Sequence, residues 1–180
     1  SLVPDPGLVE GFRRAWDGQG WALNVGLSWR SRAAASGAPR TLSEDMLRPL
    51  IQNRNVTFHS LQYGADAVEI AALSKRLGRP VYMDRDSDPL TDIDRQAAQI
   101  AALDLVISID NATVHVAGAV GTECWVLMPK GADWRWGGFG RETPLYESLR
   151  LFRADQSGLW SGVISDVVEE LSRWVAGRPA

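Results

Sequence analysis

The sequence predicts an α/β fold, a Rossmann-like and mostly parallel sheet with helices on both faces. Three observations predict it. Strand-like apolar runs alternate with helix-like segments throughout the chain. Two of those runs, residues 105–109 and 124–128, are too uniformly apolar to alternate, so they read as strands buried on both faces under two helix layers. Polar or aromatic residues recur just past each strand, where open α/β sheets bind ligands.

Residues 1–20 read as a linker and a short N-terminal helix, with the helix over 8–16 and Gly18 and Gly20 closing it. Residues 21–180 form the domain, opening on a strand over 21–29. Residues 30–40 are a loop of Ser, Ala, Gly and Pro with three arginines. Ser43 is placed to cap a helix running to about residue 52, with Glu44 and Asp45 in its first turn suiting the helix dipole. A second strand follows over 56–61. The helix over 65–77 spaces apolar Val68, Ala71, Ala72 and Leu77 near the helical period, and Gly78 fits its C-terminal cap. A short third strand at 80–83, an acidic loop at 84–90 and a helix at 92–102 lead into the strand at 105–109. After the strand at 124–128 come a last short strand at 149–152 and a closing helix at 159–175. No internal repeat appears, and the crossovers are expected to be right-handed.

Bulk properties exclude several classes. The 180 residues suit one domain. A net charge of −3 without a basic stripe argues against a nucleic-acid partner. One cysteine, Cys124, excludes an internal disulfide, and with His59 and His115 the only histidines a zinc site is not expected. Cys124 lies in an apolar run and reads as a buried, inert thiol. No apolar run approaches the ~20 residues of a membrane span, no signal peptide precedes the domain, and a cytoplasmic location is expected. The start at Ser1 without a methionine reads as a fragment of a longer protein.

The stretch 103–129 is a buried strand, a polar turn, a small-residue helix and a second buried strand. Asp110, Asn111, Thr113 and His115 thereby gather around a helix N-terminus at the carboxyl end of a strand, a place that suits a pyrophosphate. Asp110 or Asn111 can cap the helix and leave free amides; Asn111 and His115, four apart, share a face. A capped, tightly packed helix with a surface histidine is the structural alternative. Ser28 ends the first strand at the same edge, and Arg30 could reach an anion across the crevice. Past the second strand, Gln62 could read a base or sugar hydroxyl and Tyr63 could stack; Lys130 adds positive charge past the fifth. No G-x-G-x-x-G repeat follows the first strand and no P-loop occurs, against an NAD enzyme or a P-loop NTPase. Asp84, Asp86 and Asp88 lack the glycine and glutamate of a calcium loop and read as a solvated acidic loop. The glycine-rich, aromatic segment 130–146 could set Trp134, Trp136 and Phe139 over the crevice mouth, or pin its own loop.

Several pieces in this order resemble the C-terminal half of GT-B glycosyltransferases, in particular the heptosyltransferase-like family nine and the transferase domains that follow tetratricopeptide repeats in bacterial proteins. They are Val25-Gly-Leu-Ser-Trp-Arg30, Ser60-Leu-Gln-Tyr-Gly64, Ile100-Ala-Ala-Leu-Asp-Leu-Val-Ile-Ser-Ile-Asp110, His115-Val-Ala-Gly-Ala-Val-Gly121 and Asp133-Trp-Arg-Trp136. Arg141-Glu-Thr-Pro-Leu-Tyr146 and Leu149-Arg-Leu-Phe-Arg153 extend the match. The resemblance implies a nucleotide-diphospho-sugar donor site that needs no metal and no cofactor. It also implies a partner half, or repeats, elsewhere in the protein that carry the acceptor. The family's Asp-Thr-Ser or Asp-Thr-Gly turn is Asp110-Asn111-Ala112 here, and the loop at 31–39 carries no histidine or lysine. Those departures favour the rival reading, a non-catalytic interaction module with a degenerate transferase fold. A sugar-nucleotide epimerase, which needs a catalytic carboxylate in the crevice, is a third.

Overall fold

A computed structural model of the protein describes residues 2–20, 23–31, 40–86, 91–130, 134–137, 140–155 and 158–178. The elements in chain order are α1 (Pro6–Asp17), β1 (Asn24–Ser28), α2 (Glu44–Leu50), β2 (Thr57–Ser60), α3 (Ala67–Leu77), β3 (Val81–Tyr82) and α4 (Ile93–Ala102). They continue with β4 (Leu105–Ile109), α5 (Ala112–Val120), β5 (Cys124–Met128), a 3-10 turn (Trp134–Trp136), β6 (Leu149–Arg153) and α6 (Trp160–Ala176). All the strand pairs are parallel, in the order β3-β2-β1-β4-β5-β6. This is the doubly wound arrangement whose chain order reverses between β1 and β4.

Side-chain alternation along the buried strands feeds two cores. Leu105, Ile107, Ile109, Trp125 and Leu127 face the layer of α2, α3 and α6. Val106, Cys124, Val126 and Met128 face the layer of α1, α4 and α5. Both strands are buried at every position, as their near-continuous apolar character predicts. Cys124 is fully buried, and burial, with the Glu123 charge second, pushes its thiol pKa up, which disfavours the reactive thiolate.

Local signals place the helices. Asp5 accepts from the Leu8 amide at 2.9 Å with Pro6 opening α1. Asp66 and Asp92 cap α3 and α4 in the same way. Gly78, at φ 70°, closes α3 in the left-handed conformation that glycine adopts without strain. The N-terminal stretch is part of the packed structure: Leu2 N donates to Ala119 O at 2.8 Å, and α1 buries Trp16 against the His59 ring.

Several expectations are corrected. Ser43 stands at the N-cap of α2 but its hydroxyl makes no capping bond. The buried face of α3 runs through Ile70, Leu73 and Leu77, while Val68 is 79% exposed. The acidic loop is not simply solvated, because Asp84 holds the Arg95 guanidinium in a two-pronged pair at 2.7 and 3.0 Å. Asp88, Phe139 and most of the loop at 31–39 lie outside the described residues. No helix among the described residues is long and apolar enough to cross a membrane.

Candidate functional site

The reversal of strand order brings the ends of β1 and β4 side by side, with the chain leaving toward opposite faces of the sheet. Ser28, Trp29 and Arg30 lie on one side of that point and Asp110 and Asn111 on the other. Residues 83 apart in the sequence meet there: Asn111 Nδ2 donates to Ser28 Oγ at 2.8 Å.

Asn111 is the hub. Its Oδ1 accepts from the Thr113 amide at 3.0 Å and from Ser108 Oγ at 3.2 Å, and its carbonyl accepts from the Val114 amide at 3.2 Å. The side chain thus caps α5 and ties it to β1 and β4. The expectation of a row of free amides is corrected accordingly, since Thr113 N and Val114 N are both engaged within the protein. Ser28 is 2% exposed and Thr113 3%, so both hydroxyls are buried behind the mouth rather than lining it. Replacing Asn111 with alanine is expected to destabilise the domain by about 1–2 kcal/mol in urea unfolding, while Asn111→Asp, which keeps the cap, loses less.

Charge at the crevice is mostly balanced within the protein. Asp110, 7% exposed, faces Arg40 Nη1 at 3.3 Å, and the same guanidinium nitrogen lies 3.4 Å from the Asp110 carbonyl oxygen. Arg30 does not reach across the crevice but pairs with Glu69 of α3 at 2.5 Å. Gln62 is corrected from a ligand contact to a staple. Its Oε1 accepts from the Trp29 and Arg30 amides at 3.0 and 2.8 Å, and its Nε2 donates to the Arg30 and Tyr63 carbonyls at 3.0 and 3.1 Å. Both donors and both lone pairs are thereby used, leaving nothing for a base or sugar. Tyr63 is half-buried beyond β2, and Lys130 is exposed past β5.

His115 is exposed one turn into α5. Its ring stacks on Trp136 with centroids 5.3 Å apart and 21° between planes, and Tyr146 Oη lies 3.4 Å from Nδ1. Trp136 is 2% exposed, and Arg153 holds the segment beneath it by donating to the Trp136 and Gly137 carbonyls at 2.7 and 3.0 Å. Trp136 therefore presents His115 and Arg153 pins the backbone at 136–137, while Phe139 and the Trp134 side chain lie outside what the structure describes. Arg40, Tyr146, Glu69 and Arg153 are the residues the sequence reading missed. An arginine in an otherwise bland loop was the available signal for Arg40. Among the described residues, no group of three or more histidine, cysteine or carboxylate side chains is placed to hold a metal ion.

No protein-family model matches the sequence. The chain is 36% identical over 177 residues to Protein FlbA of Caulobacter vibrioides, spanning 97% of this chain but only 29% of that protein. Its fold is shared with the glycosyl transferase family 9 structure from Veillonella parvula, at a TM-score of 0.64 and 8% identity, over 98% of this chain and 54% of that one. A structure described as the basis for EarP-mediated arginine glycosylation of elongation factor EF-P covers 99% of this chain and 69% of its own, at 14% identity. Its TM-score of 0.38 is too low to inform the fold. The Rossmann-like α/β fold is thus one that a glycosyl transferase uses for about half its length.

Proposed function

We propose that the chain is the nucleotide-diphospho-sugar-binding half of a glycosyltransferase, with the donor lying across the carboxyl ends of β1 and β4. The observation that carries this reading is His115, exposed at the opening turn of α5 beside the point where the strand order reverses. The likeness of fold to a family 9 glycosyl transferase supports it.

In the whole protein an acceptor hydroxyl attacks the anomeric carbon of the sugar. The bond from that carbon to the diphosphate oxygen breaks, and negative charge grows on the departing phosphate. The positive end of the α5 dipole, His115 and Lys130 supply the stabilisation that other enzymes draw from a metal. The acceptor and its base belong to a second Rossmann-like half or to tetratricopeptide repeats elsewhere in the protein. By itself the chain binds a nucleoside diphosphate weakly and transfers nothing, in the cytoplasm as elsewhere.

Calorimetric titration with ADP, UDP and GDP tests this. A saturable heat with one of them, weakened at least tenfold by His115→Ala, is the expected result. Absence of heat with all three overturns the donor site and leaves the second reading, a non-catalytic module. The internal pairing of Arg30 with Glu69 and Asp110 with Arg40 favours that reading, because neither arginine stands free to meet a phosphate.

A further inference from the structure

Away from the crevice, a cavity of about 450 Å³ opens between α1, α4 and the β2–β3 side of the sheet. Its size falls in the range of roughly 300–1,000 Å³ of small-molecule sites. Gln99 of α4 lines it, is 3% exposed, and has no hydrogen-bond partner for its carboxamide among the described residues. Among the described residues Ser148 Oγ is the one side-chain polar atom both sealed from solvent and without a partner, so the Gln99 amide, with its two donors and two acceptor lone pairs, faces the open cavity rather than a dry wall. Gln96, 5% exposed and likewise unpartnered, lines a smaller pocket that shares Gln99 and Asp84 with the first. The cavity wall thus presents amide groups with no protein partner, which water meets and a polar ligand can take over.

The other lining groups narrow the class. Asp84 and Arg95 form a two-pronged pair, with Asp86 3.7 Å from the same guanidinium, so the wall offers no spare positive charge for a phosphate. Phe12, Trp16 and Tyr82 supply apolar ring surface. An apolar occupant would leave the Gln99 amide unsatisfied, whereas a hydroxyl-rich ring offers donors and acceptors along its rim and C–H faces to the aromatics. On the α1 side, a Cβ added at Gly11 meets nothing within 4 Å, so that residue borders open space.

We propose that this cavity binds an uncharged, hydroxyl-rich sugar ring at a site separate from the β1–β4 crevice. It stands whether or not the crevice takes a nucleotide. Amide-detected NMR titration of the whole chain with the methyl pyranosides of glucose, galactose, mannose and N-acetylglucosamine tests it, with uridine as a control. Saturable shifts of the Gln99 side-chain amide and the Gly11 backbone amide with one of the glycosides are expected. Binding should weaken at least tenfold in Gln99→Met and in Gly11→Leu, which fills the space; if Gln99→Met does not fold, Gly11→Leu decides. No saturable shift with any glycoside, unchanged binding in Gly11→Leu, or tighter binding of uridine at these amides overturns the proposal. The nucleoside diphosphate titration should be the same in Gly11→Leu as in the parent, which keeps failure of this site distinct from failure of the crevice.

Discussion

Gly118→Ala is expected to destabilise the domain by about 1–3 kcal/mol and to cost His115 its Tyr146 contact, leaving its stack on Trp136. Gly118 lies in α5, three residues past His115 on the same side of the helix. A Cβ there would stand 2.4, 2.6 and 2.7 Å from Cγ, Cδ1 and Cδ2 of Tyr146. These are the ring atoms nearest the main chain, so relief requires Tyr146 to swing away as a whole. Two effects compete. Alanine is favoured over glycine inside a helix by roughly 1 kcal/mol, but an overlap this deep with an aromatic ring costs more. Moving Tyr146 also removes the hydroxyl 3.4 Å from His115 Nδ1, so nucleotide affinity should fall together with stability. Urea unfolding and the calorimetric titration measure the two losses. The double variant with Tyr146→Ala should recover stability relative to the sum of the singles, because the overlap is gone. A Gly118→Ala protein as stable as the parent would sink the argument.

What was legible in the sequence follows from how local each cause is. The bounds of β4 and β5 could be read to the residue because burial on both faces leaves them apolar on both sides, with Ser108 the one small polar residue in β4. The cap of α5 was legible because Asn111 acts on an amide two residues away. The other end of that side chain was not, because its bond to Ser28 exists only once β1 and β4 are neighbours. Gln62 shows the same limit. An amide just past a strand looks alike in sequence whether it meets a ligand or the next strand, and only the pairing of β1 with β2 turns it inward. The opposed arginines fared likewise, since Glu69 and Arg40 reach Arg30 and Asp110 through helix and loop placement that periodicity does not encode. Periodicity does not fix the phase of α3, because apolar Val68 stands on its solvent face and blurs the stripe through Ile70, Leu73 and Leu77.

Acidification should weaken the fold through His59. The ring is 3% exposed, packs 4.4 Å from Trp16, and has Nε2 2.9 Å from Asn24 Oδ1. Burial lowers its pKa from 6.5 to about 4, so the folded protein keeps the imidazole neutral where the unfolded chain already binds a proton. Tyr82 lies 6.1 Å away, and the Asp84 and Arg95 side chains that line the same cavity compensate each other rather than offer the imidazolium a free counter-charge. Stability from this group is full above pH 6.5, declines as pH falls toward 4, and levels off below. At about 1.4 kcal/mol for each pH unit the loss across that window amounts to about 3 kcal/mol. Unfolding free energies of the parent and His59→Gln, measured at pH 7.5 and pH 4.5, isolate the effect, because carboxylates elsewhere titrate alike in both. The parent should lose more stability over that interval than the variant by most of this amount. Equal losses in the two proteins would mean that His59 is charged, or solvated, inside the fold.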